Sequence, residues 1–315
     1  MRSLSRRQFA SYWASASALA ALQPRLTIGQ TPPAAKTRLI LLGTAGGPRP
    51  RIGRAAPSQV ILVNKAAYVV DCGNGVALQL VRAGVPLGSL RDLFITHHHS
   101  DHNADYGNLL LLAWTAGLQK RVDTWGPPPL DQMTKLFFEM NAYDMKTRVA
   151  DEGRMPLAPL VRAHELTEGG LVLQDENVKV TCALVEHLPV VPALAYRFDT
   201  ADRSIVVSGD TKPSAALIRL AKGADVLVHE VVYPSAVERL VAPLANAAAL
   251  TKSILSHHTP VEEVGRVAEA AGVKTLVLSH FVPAEDPSLT EEMWVDLARR
   301  NFKGRVIAGK DLLEI

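Results

Sequence analysis

The 315-residue sequence contains only two cysteines, Cys72 and Cys182. So low a count excludes a disulfide-built scaffold, and the pair is not spaced as zinc thiolates. A single disulfide would suit an oxidising compartment, but both cysteines lie in apolar, strand-like runs, which predicts two buried free thiols. No apolar run is long enough to cross a bilayer once the N-terminal segment is set aside. Internal repeats and low-complexity tracts are absent. Charge excess is small: 34 basic against 31 acidic residues give +3. Three of those charges, Arg2, Arg6 and Arg7, lie in a segment expected to be removed, leaving 3 − 3 = 0. That balance offers no support for nucleic-acid binding, which relies on phosphate-neutralising cations. What remains, 48% apolar and 21% charged residues, is the composition of a globular enzyme with one large core.

The N-terminus combines a basic start, the Arg6-Arg7 pair, Phe9 and a weakly apolar Ala/Ser/Leu stretch. Its S-R-R-Q-F-A string resembles the bacterial twin-arginine export signal, with Ala18-Leu19-Ala20 as a small-x-small cleavage site. The alternative is an amphipathic helix that stays attached. The expected organisation is a signal peptide at 1–22, a Pro/Thr-rich linker at 23–36 and a single domain at 37–315. Such a signal implies export by the twin-arginine machinery to the periplasm or beyond, with no membrane attachment after its removal.

The densest chemistry is FITHHHSDHNAD, from Phe94 to Asp105. His97 and His99 are two apart, so at the end of an extended segment they point to one side. Asp101 and His102 follow at once, before a helical stretch. A strand that turns into a helix aims its donors in different directions, and H-x-H-x-D-H alternates ligands with spacers as chelation requires. His98 is such a spacer. Further strand-like runs finish on donors: NVKVTCALVEH on His187, RSIVVSGDT on Asp210, ADVLVHE on His229 and Glu230, and KTLVLSH on His280. Strand carboxyl ends converge on one side of layered α/β proteins, which would gather these residues into one place. HHTPVEEVGRVAEAAG is read as a helix opening with His257 and His258, and Lys146 to Gly170 as irregular. Arg49, Arg51 and Arg54 in the Gly/Pro loop after the first strand are read as solvated. Phe137, Phe138 and Tyr143 are read as helical core.

With these motifs in place, the chain resembles the metallo-β-lactamase superfamily from about Arg38 to Ile315. The resemblance implies an α/β, four-layer αββα sandwich. T-H-x-H-x-D-H matches Thr96 to His102, and the distal ligands match His187, Asp210 in S-G-D-T and His280 in V-L-S-H-F. By that resemblance His97, His99 and His187 hold one metal, Asp101, His102 and His280 the other, and Asp210 bridges; Asp71 supports the ligands. The chain is most similar to the ribonuclease Z branch, whose H-E pair matches His229-Glu230 and whose H-x-T matches His257-His258-Thr259. His257 would then be the partner of Glu230, and Asp101, Glu230 and His257 the catalytic residues. Bacterial ribonuclease Z carries a tRNA-gripping arm before S-G-D-T, and this chain has no insert there. The G-P-R-P loop, the H-T-P-x-E-x-V-G helix, the missing arm and the export signal resemble secreted arylsulfatase-like members.

Two zinc ions per chain suit imidazole and carboxylate donors, with iron or manganese as alternatives. The expected function is an exported dinuclear zinc hydrolase of a small ester, an aryl sulfate or phosphodiester, with no nucleic-acid partner. β-Lactam or lactone hydrolysis is the nearest rival, a ribonuclease Z-type RNA endonuclease the next, and a non-catalytic metal-binding module the rival from outside enzymology. Homodimerisation is an expectation from the branch.

Overall fold

A computed structural model describes residues 37–315; the export signal and linker expected at 1–22 and 23–36 lie outside the described residues. The chain forms two mixed sheets. The first is built in chain order from β1 (Arg38–Gly43), β2 (Ser58–Val63), β3 (Ala66–Val70), β4 (Leu90–Phe94), β5 (Val122–Gly126) and β6 (Val161–Glu165). β1 to β3 are antiparallel. The β2–β3 turn has both Asn64 and Lys65 at positive φ, the backbone that suits the right-handed twist of a two-residue hairpin. β3 to β6 run parallel, joined by α1 (Val76–Arg82), α2 (Ser100–Asn103), α3 (Tyr106–Thr115), α4 (Leu130–Met140) and α5 (Ala142–Glu152).

The second sheet repeats the plan. β7 (Gly170–Gln174), β8 (Val178–Val185), β9 (Ala193–Thr200) and β10 (Ser204–Val207) form an antiparallel meander. β11 (Val226–Val232), β12 (Thr275–Val282) and β13 (Arg305–Ala308) extend it in parallel. Their crossovers are α6 (Ala215–Leu220), α7 (Pro234–Val241), α8 (Ala247–His257), α9 (Val261–Ala271) and α10 (Glu291–Arg299). β11 is buried along its whole length, as a parallel strand covered on both faces must be.

Three apolar layers hold these elements together. Between the sheets, Phe94 meets Tyr196 and Phe198 edge-on at 5.3 and 5.1 Å, the geometry aromatic quadrupoles favour. Leu80, Leu109 and Leu110 of α1 and α3 close the outer face of the first sheet. Leu217, Val264 and Trp294 of α6, α9 and α10 close that of the second. The result is the expected four-layer αββα sandwich. Residues 312–315 run back along the outer edge of β1: Leu312 N–H donates to Leu41 O, and Ile315 N–H to Leu39 O, at 2.6 and 2.9 Å. Cys72 and Cys182 are buried and unpaired, as their apolar context predicts.

Three local expectations are corrected. The stretch expected to be irregular contains the end of α5 and all of β6. The histidines expected to open a helix instead close α8: His257 is its last residue and His258 its C-cap. Pro260 disfavours helical backbone just before it, so α9 starts only at Val261. Tyr143 is largely exposed rather than core, whereas Phe137 packs onto Gly107, where a Cβ would meet its ring at 2.2 Å.

Candidate metal centre

The carboxyl ends of the parallel strands in both sheets open at the same end of the sandwich, and the donors collect there. After β4 the chain passes through Thr96 to His99, which is extended, and turns into α2 at Ser100. Asp71, just past β3, fixes that turn. Its Oδ1 accepts from the Thr96 backbone N–H at 2.8 Å, and its Oδ2 lies 2.7 Å from His102 Nδ1. Asp71 has a φ of 61°, an uncommon backbone for a non-glycine residue that here serves to aim a carboxylate into the site.

Three overlapping donor groups result among the described residues, each with ligand atoms within 4.8 Å of one another: Asp210 and His280 with His258, and two made of expected ligands alone, His97, His99, His187 and Asp210 in one, and Asp101, His102 and His280 in the other. Asp210 faces both. Its Oδ2 is 3.7 Å from His97 Nε2 and 3.2 Å from His280 Nε2, and its Oδ1 is 3.4 Å from His102 Nε2. Gly209 delivers it. With φ at 58°, a Cβ there would sit 2.6 Å from Leu194 O, so only glycine fits this turn. His280 does not end its strand as the sequence suggests. β12 continues to Val282, and the pairing with β11 jumps from Ser279 to Phe281, so His280 is the extra residue of a bulge. The bulge, with φ at 48°, re-aims the ring toward Asp210 and Asp101.

All seven expected ligands therefore meet, while the expected acid/base pair is corrected. His257 does not approach Glu230; its backbone carbonyl lies 3.0 Å from His187 Nδ1 and orients that ring. The neighbour of Glu230 is His258, whose Nδ1 is 3.3 Å from Glu230 Oε2 and 3.9 Å from Asp210 Oδ2. Backbone N–H groups of Thr211 and Thr259 donate to Glu230 Oε1 at 3.1 and 3.0 Å. His229, expected beside Glu230, points away: its Nδ1 lies 2.7 Å from the Glu230 carbonyl, and the ring is fully buried.

The electrostatics follow from this crowding. Burial would raise the Asp210 pKa, but His280, His102 and His97 drive it well below the usual carboxylate range. His102 shows the converse: Asp210 and Asp71 override burial and raise it. Burial holds His97 well below its ordinary value and takes His187 down to about 4, leaving neutral imidazoles that can ligate. For His258, burial is outweighed by Glu230, and the pKa rises to about 9.

Does this donor set fit metal ions? His102 Nε2, Asp210 Oδ1 and His280 Nε2 are buried with no hydrogen-bond partner among the described residues, a costly state for polar atoms that ligation would relieve. His99 Nδ1 sits 3.0 Å from His97 Nε2 and 3.1 Å from His187 Nε2, a convergence of three ring nitrogens that one proton cannot satisfy. Imidazole and carboxylate donors in this number suit two divalent ions. The residues fit.

Comparison with known proteins agrees with the geometry. The profile of the Beta-lactamase superfamily domain matches residues 67–281. Ribonuclease Z of Mycobacterium sp. (strain KMS) is 36% identical over 225 residues, 71% of this chain and 76% of that protein. Ribonuclease Z of Mycobacterium bovis (strain BCG / Pasteur 1173P2) is 34% identical over 277 residues, 87% and 96% of the two chains. Among solved structures, the metallo-beta-lactamase fold protein YhfI from Bacillus subtilis aligns at a TM-score of 0.66 and 20% identity, covering 89% and 98%. Human tRNase Z, short form, aligns at 0.62 and 20% identity, covering 88% and 98%; these structural matches speak to the fold alone.

The curated relatives overturn three expectations. Their name is that of a ribonuclease, which contradicts the aryl-sulfate or small-ester reading and the exclusion of nucleic acid. It also contradicts periplasmic or secreted placement, because RNA is made inside the cell. Near-zero net charge does not exclude such a partner, because it averages the whole surface whereas nucleic-acid contacts are local.

Proposed function

Because the chain belongs to the metallo-β-lactamase superfamily, in its ribonuclease Z-like branch, we propose that it is an RNA endonuclease of the ribonuclease Z type. Metal-dependent hydrolysis comes with the family; the RNA phosphodiester as substrate and zinc as the metal are our reading. The observation that carries it is His258, seated between Glu230 and Asp210 beside both donor groups.

His97, His99 and His187 would hold one ion, Asp101, His102 and His280 the other, and Asp210 would be shared. Divalent ions bound there supply water activation near neutral pH and Lewis acidity toward phosphoryl oxygens. The chain's own groups do the rest. Asp101, its charge maintained by His102 and His280 against burial, orients the attacking water through a carboxylate oxygen. His258, kept protonated by Glu230, donates its proton to the leaving oxygen. Two backbone N–H bonds fix Glu230, so the imidazolium stays aimed without a mobile partner.

The metal-loaded full chain should cleave a precursor tRNA and turn over bis-nitrophenyl phosphate more slowly. Turnover of nitrophenyl sulfate or a chromogenic cephalosporin with no RNA cleavage would overturn the reading.

A further inference from the structure

A short turn joins β9 to β10, with Thr200 N–H donating to Arg203 O at 3.0 Å, so RNA must be gripped by something other than an arm at that position. Beside the metal centre, across Asp101, lies a pocket of about 350 Å³, within the size range of small-ligand sites. One wall is the loop between β1 and β2; the other is α1 with the turn before it. The loop is tied to the reacting centre, since Gly47 N–H donates to Asp101 Oδ2 at 2.9 Å.

Arg49, Arg51, Arg54 and Arg82 all line this pocket, and Asp101 is its one carboxylate among the described residues. The four are not equivalent. Arg54 is committed to the fold rather than solvated: it donates to Thr44 Oγ1 and Gly309 O at 2.7 and 2.9 Å and lies 4.3 Å over the Phe281 ring. Arg51 folds back onto the Arg49 carbonyl at 3.0 Å. Arg49 and Arg82 are exposed, and Arg82 makes its one side-chain hydrogen bond among the described residues to Gln79 Oε1, at 3.1 Å. Two guanidinium heads with no carboxylate partner among the described residues thus stand on a rim that also presents Leu78, 54% exposed. Cations beside an apolar surface match a phosphate joined to a sugar and base.

Resting on the RNA reading, we propose that this pocket binds the nucleotide neighbouring the scissile one, its phosphate held by Arg49 and Arg82 and its sugar or base against Leu78. The pocket lies on the Asp101 side of the centre, away from His258, and so gives the RNA a direction across the site.

The test uses the full-length, metal-loaded protein and its Arg49→Glu, Arg82→Glu and Arg82→Lys variants, with Arg266→Glu on the far surface of α9 as a matched charge change. Precursor tRNA cleavage and fluorescence-anisotropy binding of the same RNA to metal-stripped protein are both measured across a salt series. Each reversal should raise KM and Kd about tenfold and lower the salt slope by about 1, with kcat far less affected. Arg82→Lys should recover part of the loss and Arg266→Glu should behave as wild type. Wild-type protein that binds and cleaves the RNA while both reversals match it overturns the pocket alone. Wild-type protein that neither binds nor cleaves the RNA overturns the RNA reading and the pocket with it.

Discussion

In the first sheet, four donors come from one short stretch after β4: His97 and His99 in the turn, and Asp101 and His102 in α2. The second sheet supplies His187, Asp210, Glu230 and His280 from four separate strands, three near a strand end and one in a bulge. The turn is compact, and one side chain, Asp71, braces two of its residues, Thr96 and His102, at once. The second-sheet residues are rooted separately: His187 and Asp210 follow β8 and β10, Glu230 lies in β11 and His280 in the β12 bulge. Damage to the first half should therefore spread among ligands, and damage to the second should stay local, except at the residue both groups share.

Asp210 is that residue, and its replacement gives the largest effect. Asp210→Ala should abolish RNA cleavage, by about a thousandfold or more, and remove both ions. His187→Ala should empty mainly one site. Metal content by mass spectrometry decides: an Asp210→Ala protein that keeps two ions breaks the picture of two groups joined by one carboxylate. Next comes the acid. His258→Ala should lower kcat by about a hundredfold or more while leaving metal content intact, whereas His257→Ala, which keeps its backbone carbonyl, should change kcat only a few-fold. Equal losses would return the role to His257. Smaller still, Asp71→Asn should weaken metal affinity by about 10–100-fold by releasing His102 and Thr96 together, measured by competition with a chromogenic chelator.

The smallest effect on activity comes from the middle of β4. Asp92 is buried, accepts from Trp125 Nε1–H at 3.0 Å and lies 3.8 Å from Arg91 Nε. Burial dominates and lifts its pKa to about 7. A carboxyl whose folded pKa exceeds its unfolded value favours the fold in its neutral form. Its contribution is complete below about pH 4 and is lost as pH rises to about 7, by at most about 4 kcal/mol. Asp92→Asn should flatten the denaturation midpoint between pH 4 and 8, raise stability at pH 8 and leave cleavage nearly unchanged. An undiminished pH slope in that variant would assign the effect elsewhere.

The same contrast governs how much was legible in the sequence. The turn could be read directly because its ligands and spacers are consecutive, and the strand donors could be read because apolar runs of fixed length end near them. The pair at Glu230 could not: His257 and His258 are adjacent, and only the end of α8 and the position of Pro260 decide which ring turns inward. The bulge at His280 was equally hidden, since an inserted residue in a strand leaves no mark in an apolar run. The part of α5 from Lys146 onward is not legible because the helix has no buried face; its signal is the Asp144–Arg148–Glu152 ladder at i,i+4 spacing. Function was misjudged for a different reason. Whole-chain charge says nothing of where cations stand, and the arginines proposed to hold RNA lie on one loop and one helix.

The return of residues 312–315 along β1 has a consequence for solubility. β1 is the edge of its sheet, and Leu39 to Leu42 are fully buried or nearly so. A bare apolar edge strand is a template for pairing with other chains. The backbone bonds from Leu312 and Ile315 occupy that edge, so a few residues act as a guard against aggregation. Molecules trimmed by four residues would keep every metal ligand and yet be expected to precipitate.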